Sequence, residues 1–187
     1  MNIILAGYIA LEATHKLITN EKPALSCRFS DRFLRQTDEM TSLLFVNRDS
    51  IEKVISDFFC ESKRSNNIEY TELSEYGILA GLWDYAESKG CGLSINLESI
   101  SIRQETIEIF EQLNVNPYSY PSNGSWLIGC EYAHELVDYL NENGIVAAVI
   151  GKEIDSKDRT VVNQDEVRFL TPVDRLLKDE QGLKNLR

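Results

Sequence analysis

The sequence has few residues of the kinds that bind metals or form disulfides. Among 187 residues it has four cysteines and two histidines. The cysteines are scattered, with no CxxC pair, at Cys27, Cys60, Cys91 and Cys130. This spacing matches no zinc site, so we expect small buried thiols in a reducing cytosol and no bound metal. His15 and His134 each lack a second histidine or a cysteine at ligand spacing, so surface or partly buried rings are expected.

Positive charge and long apolar runs are also scarce. The formal net charge is −11, which repels polyanions, and the basic runs at 63–64 and 184–187 are short. No stretch approaches the roughly 18 to 20 apolar residues that span a bilayer. The opening "MNIILAGYIALEA" lacks the basic region of a secretion signal. The sequence therefore predicts a cytoplasmic protein that binds neither nucleic acid nor membrane.

The chain has no linker rich in Gly, Ser or Pro, no repeat and no low-complexity tract. Its composition, 43% hydrophobic and 26% charged, is sufficient to bury a core. We therefore expect a single domain over 1–187.

Hydrophobic patterning predicts alternating strands and helices. Strands are expected at 2–8, 42–47, 68–73, 91–97, 124–131 and 145–154, with a hairpin at 159–170. The nearly continuous apolar run at 145–154 is typical of a central strand. Helices are expected at 10–21, 30–40, 49–63, 103–114, 132–144 and 172–181, with a further one that stops at Gly90. The predicted fold class is α+β, a mixed sheet flanked by helices, with α/β as the alternative.

The stretch "IEYTELSEYGILAGLWDYAESKG" (68–90) raises the question of an anion site. It predicts a strand, a tight polar turn and an amphipathic helix, a geometry in which a helix N-terminus often binds phosphate. However, the turn carries Glu72, Glu75 and the bulky Tyr76, where a phosphate site favours glycine and positive charge.

Four segments together resemble one protein family. They are "GYIALEATHKLI" (7–18), "TELSEYGILAGLWDYAESKGCGLSINLESISI" (71–102), "ETIEIFEQLNVNPYSYPSNGSWLIG" (105–129) and "NGIVAAVIGKEI" (143–154). In this order they resemble the C-terminal domain of the AIR synthase superfamily. That superfamily includes aminoimidazole ribonucleotide synthetase, selenophosphate synthetase and the hydrogenase maturation factor that dehydrates a thiocarboxamide. The AIR synthase-related, hydrogenase maturation factor-like branch is the most similar.

The resemblance implies a mixed sheet flanked by helices and a role beside a second domain. In the family, an N-terminal domain supplies the dimer barrel and most ATP and magnesium ligands, while the C-terminal domain closes the cleft. This chain begins at the family's domain junction, so we expect that ATP-binding domain to be absent. Because phosphoryl transfer needs positioned phosphate donors and metal ligands, the resemblance implies no cofactor for the chain alone. ATP and Mg would bind only where a partner domain completes the site.

The family's turn reads His-Asp-hydrophobic-Ser/Thr-acid-Gly-Gly. The matching positions here are Thr71, Glu72, Leu73, Ser74, Glu75, Tyr76 and Gly77. Thr71 replaces the histidine and Tyr76 replaces the first glycine. Glycine permits a positive φ and lets an N–H approach an anion closely, whereas tyrosine adds a Cβ and a ring. Without a cation, Glu72 and Glu75 also repel phosphate.

Three interpretations of this turn remain open. Ser74 could be a helix N-cap, with Glu75 favourably placed in the helix dipole and Tyr76 packing or forming an interface. A nucleotide or phosphate site could survive if another chain completes it. The turn could also belong to a pocket remodelled for a different ligand. Tyr76 favours the loss of phosphate binding.

Other family positions support weaker hypotheses. Glu12 and Thr14 match a hydrophobic-Glu-Gly-Thr element in which Ala13 replaces glycine. Glu12 could face the interdomain cleft or be an exposed acid of the first helical turn. Gly124, in "PSNGSW" (121–126), is expected to serve a turn. Trp83 and Trp126 are expected to be core or interface aromatics.

These observations favour a non-catalytic binding or assembly module. The alternative is one half of a split ATP-dependent enzyme completed by a separately encoded N-terminal domain. No cysteine follows Cys130, so the terminal-cysteine chemistry of the hydrogenase maturation factor is not expected. Expected partners are a second copy of the chain, because apolar patches are seldom left bare, or a separate N-terminal-domain protein. A homodimer could also offer a new small-molecule pocket.

Overall fold

The computed structural model describes residues 1–45, 48–63 and 68–172. The strands are β1 (Asn2–Ala6), β2 (Ile68–Glu72), β3 (Gly92–Asn96), β4 (Trp126–Cys130), β5 (Ala147–Ile154), β6 (Arg159–Asn163) and β7 (Glu166–Phe169). The α-helices are α1 (Leu11–Asn20), α2 (Lys22–Leu25), α3 (Asp31–Leu43), α4 (Arg48–Ser62), α5 (Gly77–Lys89), α6 (Gln104–Gln112) and α7 (Ala133–Glu142). Short 3-10 turns lie at Leu97–Ser99 and Pro117–Ser119.

The strands form one seven-stranded sheet in the order β2-β4-β1-β5-β3-β6-β7. β3 and β6 are parallel, and the other neighbouring strands are antiparallel. The apolar run at 145–154 lies at the centre of the sheet as β5, and 159–170 forms the β6–β7 hairpin, both as predicted. The predicted fold class, a mixed sheet flanked by helices, is confirmed.

Helices cover both faces of the sheet around β1. Ile3 and Leu5 point towards α5, where they pack in one apolar cluster. Ile4 and Ala6 point the opposite way, into a cluster with α4 and α7. Because side chains alternate along a strand, a strand buried on both faces must be apolar at every position. A third cluster joins α1, α3 and α6.

One predicted strand is wrong. Residues 42–43 belong to α3, and Leu44 follows it as the C-terminal cap residue in a right-handed helical conformation. Leu34, Thr37 and Thr41 are buried at helical spacing, so packing against α1 extends the helix into the apolar "SLLF". Residues 46–47 of that predicted strand, and the predicted helix at 172–181 beyond Pro172, lie outside the described residues.

The expectation of buried thiols holds for one cysteine. Cys130 is buried, Cys91 is intermediate, and Cys27 and Cys60 are exposed. The prediction failed because Cys60 lies on the outer face of α4 and Cys27 follows α2 at the surface. No group of three or more His, Cys, Asp or Glu side chains within the described ranges could hold a metal ion.

The inward face of α6 carries Thr106, Ile109 and Phe110, which are buried, whereas Ile107 and Leu113 are only partly buried. Among the helices described here, none is long and apolar enough to cross a membrane.

Candidate functional site

Three of the four family-like segments meet around one loop. This loop, residues 121–125, is called the Gly124 loop below. The buried Ser122 hydroxyl accepts a hydrogen bond from the Ala10 N–H at 3.0 Å and donates to the Tyr120 carbonyl at 3.0 Å. Ser125 donates its hydroxyl proton to the Tyr8 carbonyl at 2.7 Å. The Gly124 loop is thereby attached to the segment that leads from β1 into α1.

The Glu72 carboxylate binds a main-chain amide of the Gly124 loop. At the end of β2, its Oε1 accepts a hydrogen bond from the Gly124 N–H at 2.9 Å. Gly124 has a φ of +82°, and a Cβ there would lie 2.6 Å from Cε2 of Phe45. Gly124 therefore serves the turn, as predicted, and it also makes room for the Phe45 ring. An amide that could face an anionic ligand instead binds the protein's own carboxylate.

Glu12 faces the same loop from the first turn of α1. Lys16 Nζ lies 2.6 Å from its Oε1, and Asn123 Nδ2 donates to its Oε2. Burial alone would raise the pKa of Glu12, but the hydrogen bonds from Lys16 and Asn123, together with the Lys16 charge, outweigh burial and lower that pKa. Glu12 is thus an ionised, internally bonded carboxylate.

Gly77 begins α5 beneath the 117–120 turn. Its φ is +76°, and a Cβ would lie 2.7 Å from the carbonyl oxygens of both Tyr118 and Tyr120. Its N–H donates to the Ser74 carbonyl at 3.2 Å, and the same carbonyl accepts from Ser122 N–H at 3.2 Å. Gly77 is the second glycine position of the family turn. Electronegative carbonyl oxygens therefore lie close to this position.

One of the three interpretations of the turn, in which Ser74 is the helix N-cap, is wrong. Tyr76, with φ −92° and ψ 1°, occupies the cap position of α5 and makes no side-chain cap hydrogen bond. Ser74 precedes this cap residue by two positions, and its Oγ lies 3.5 Å from Tyr76 N. The reason is that the main-chain bond from Gly77 to Ser74 closes the turn and delays the helix to Gly77. Glu75 is exposed.

Two predicted site residues lie elsewhere. Thr14 is buried, donating its hydroxyl to the Ala10 carbonyl at 2.7 Å and lying 3.0 Å from Thr106 Oγ1 on α6. Thr71 is exposed on β2. The structure therefore brings Glu12, Glu72 and Gly77 to the Gly124 loop and its neighbouring turn, whereas Thr14 joins two helices.

Several contact residues of this site had no clear sequence signal. Phe45 comes from the end of α3, and Lys16 and Asn123 would pass for ordinary surface residues. Only the "PSNGSW" segment marked the loop. Trp126 is 3% exposed in the core, as predicted, and Trp83 packs under the Arg159 guanidinium, whose Cζ lies 4.1 Å from the ring centroid.

Comparison with known proteins supports the fold. No protein-family profile matches the sequence, and no curated protein matches it significantly. Among solved structures, the hydrogenase maturation protein HypE of E. coli has a TM-score of 0.65 at 16% identity, over 92% of this chain and 49% of HypE. HypE solved in complex with ATP has a TM-score of 0.62 at 14% identity, over 94% of this chain and 51% of that one. Thiamine-monophosphate kinase from Stenotrophomonas maltophilia has a TM-score of 0.59 at 12% identity, over 88% of this chain and 50% of the kinase chain.

These similarities define the class of fold. The chain has the fold of an AIR synthase-related domain, as the sequence resemblance predicted. It spans about half the length of the structures that it matches.

Proposed function

We propose that this chain is a non-catalytic binding or assembly module built on the AIR synthase-related fold. The observation that carries the proposal is the hydrogen bond from Gly124 N–H to Glu72, in a loop where the Phe45 ring packs beside Gly124. A nucleotide phosphate approaching this amide would have to displace a carboxylate.

The charges around the turn support the same conclusion. Glu72 and Glu75 place negative charge beside the start of α5, and two carbonyl oxygens face Gly77. Coulomb repulsion between like charges opposes phosphate binding unless a cation intervenes. Tyr76 adds a side chain where the family's first glycine leaves the main chain accessible.

Isothermal titration of the chain with ATP and magnesium tests this proposal. We expect no saturable heat, in either the wild type or a Tyr76→Gly variant, because Glu72 still occupies the Gly124 amide. Saturable binding of ATP by the wild-type chain would contradict the proposal. Titration with magnesium alone controls for heat released by cations binding to this acidic protein.

The alternative function is one half of a split ATP-dependent enzyme, with phosphoryl-transfer or ligase-type chemistry. The observation in its favour is that α1, the β2–α5 turn and the Gly124 loop remain together in one compact junction. A separately encoded N-terminal-domain protein would then dock here and supply the missing ligands for ATP and Mg. The test is to mix the chain with such a protein, for example one encoded in the neighbouring reading frame, and then to titrate with ATP. Heat of ATP binding that appears only in the mixture would establish this alternative.

The partners belong to the same proposal. A second copy of the chain and a separate N-terminal-domain protein are both candidates, and we propose that residues 1–187 form a single domain in the cytoplasm. One structural neighbour, HypE, was solved in complex with HypF, with a TM-score of 0.65 at 15% identity to this chain. That neighbour supports a role in assembly for this fold.

A further inference from the structure

The edge strand β7 carries exposed apolar side chains. β7 lies at one end of the sheet and pairs with β6. All four of its residues are exposed, with Val167 at 62% and Phe169 at 69%. An edge strand presents unpaired N–H and C=O groups to any strand that can pair with it.

Val167 and Phe169 share one face of the sheet. They lie opposite Val162 and Thr160 of β6. Val161 packs in the cluster beneath α5, so Val162, and with it Val167, faces the opposite side. On that side, the cluster formed with α4 and α7 takes its strand residues from β1, β4 and β5, with Ile68 of β2 packed against it. Within the described residues, the apolar side chains of β7 therefore lie beyond that helical layer.

The main-chain groups of β7 alternate in direction. Leu170 N–H donates to the Arg159 carbonyl at 2.8 Å, so residue 170 points towards β6. In an antiparallel pair, successive residues point alternately towards and away from the neighbouring strand. Glu166 and Arg168 therefore direct their main-chain groups to β6, whereas Val167 and Phe169 direct theirs outward.

This alternation restricts how β7 could pair with β7 of a second copy. In a two-fold symmetric antiparallel pair, the outward residues must lie opposite one another. An axis at Glu166 or at Arg168 would place like charges opposite each other, which is unfavourable. An axis at Phe169 would leave Phe169 alone paired within the strand, because the other three residues of β7 would face residues beyond its end, whereas an axis at Val167 keeps three residues paired within β7. An axis at Val167 places Glu166 opposite Arg168 of the second copy, twice.

We propose that β7 is a self-association edge, which pairs antiparallel with β7 of a second copy of this chain about an axis at Val167. Glu166 and Arg168 are already at 2.7 Å from each other within one copy, and their side chains are 66% and 80% exposed. Around the axis, two such pairs form an alternating cluster of four charges. The Val167 side chains of the two copies then lie side by side on one face, and Phe169 of each copy lies diagonal to Val167 of the other.

The other edge of the sheet lacks this complementarity. Leu73 N–H donates to the Ser125 carbonyl at 2.8 Å, so Tyr70 and Glu72 of β2 point outward. Self-pairing of β2 about Tyr70 would place Glu69 opposite Thr71, with no opposite charge to select that register. The charge pattern therefore favours β7 over β2, and a second copy over an unrelated strand.

Sedimentation equilibrium of charge-swap variants tests the register. We expect the wild type to dimerise with rising concentration, and E166R or R168E to weaken dimerisation by about tenfold or more. The double variant E166R/R168E should dimerise again, because both opposite-charge pairs are rebuilt. An equimolar mixture of the two single variants should form a heterodimer more tightly than either variant dimerises alone, because the mixture pairs opposite charges.

Controls separate this inference from general loss of folding. Y70K, at the other edge, should dimerise as the wild type does, and circular dichroism should show that every variant is folded. A wild-type chain that stays monomeric at millimolar concentration would overturn the inference, as would single variants that dimerise like the wild type. Because no step involves nucleotide, this result is independent of the ATP titration.

Discussion

At the scale of single residues, glycines that look alike in the sequence have different structural roles. Gly77 begins α5 and Gly90 follows it as the C-cap, and both have a positive φ, of +76° and +62°. A Cβ at Gly77 would meet carbonyl oxygens of the 117–120 turn, whereas a Cβ at Gly90 would meet nothing within 4 Å. The first glycine is required by close packing and the second only by its backbone conformation.

This difference predicts unequal costs for two matched substitutions. Gly77→Ala should lower the free energy of unfolding by about 2 to 4 kcal/mol, because it combines steric overlap with a left-handed backbone. Gly90→Ala should cost about 1 kcal/mol, since only the backbone conformation is unfavourable. Urea unfolding of both variants measures the difference, and equal costs would show that the 117–120 turn yields easily.

The sequence predicted which residues lie near the turn better than it predicted the contacts that these residues make. The family motif correctly picked Glu72 and Gly77 as positions near a turn. One interpretation of the turn, based on residue type alone, made Ser74 the N-cap, whereas the structure has Tyr76 at that position. The motif does not identify Phe45 as the residue beside Gly124, because that contact joins segments distant in the sequence.

At the scale of elements, α1 is attached to the Gly124 loop through Glu12. Lys16 and Asn123 hold this carboxylate, and its pKa is lowered below the usual value of 4.5. A carboxyl group with a lower pKa in the folded state stabilises the protein at pH values above its unfolded pKa. That contribution is lost as the pH falls through the folded pKa.

The Glu12→Gln substitution should therefore have a pH-dependent cost. At pH 7 it should destabilise the protein by up to about 1 kcal/mol, because Glu12 and Lys16 are partly exposed. The difference from wild type should persist down to about pH 5.5 and shrink below the usual pKa of the carboxyl. A double-mutant cycle with Lys16→Met tests the assignment, since E12Q should cost less when Lys16 is absent. A cost that does not change between pH 7 and pH 3 would contradict it.

Most elements were predictable because their signals are local. The Ser30 hydroxyl caps α3 by accepting from Phe33 N–H at 3.2 Å, at the start of the helix predicted for 30–40. The segment 42–47 was mistaken for a strand because a short apolar run does not distinguish strand from helix. Burial of Thr37 and Thr41 decided for the helix, and that burial depends on α1.

At the scale of the whole molecule, net charge sets a general electrostatic cost. The chain carries 30 acidic and 19 basic side chains. A large net charge destabilises the compact state through self-repulsion, and salt screens it over about 10 Å at 0.1 M. Local ion pairs such as Arg159–Glu87, at 2.7 Å, act in the opposite sense, because salt weakens them.

We expect repulsion to dominate, because acidic side chains are in clear excess. Raising sodium chloride from 20 mM to 500 mM should increase the free energy of unfolding by on the order of 1 kcal/mol. Urea unfolding at each salt concentration measures this change in the free energy of unfolding. Chloride should be used instead of sulfate, which strengthens burial of apolar groups by itself. A decrease in stability with salt would show that ion pairs outweigh the net charge.

The sequence by itself determined the alternation of strands and helices, the central position of β5 and the resemblance to the AIR synthase superfamily. Those features follow from local periodicity, caps and turns, which act between residues close in the chain. The tertiary structure alone decided that Glu72 binds the Gly124 amide, that Phe45 packs beside Gly124, and that Val167 and Phe169 lie exposed on an edge strand. These contacts and exposures depend on which segments meet in space. Hydrophobic patterning within one segment carries no information about the distant segments that pack against it.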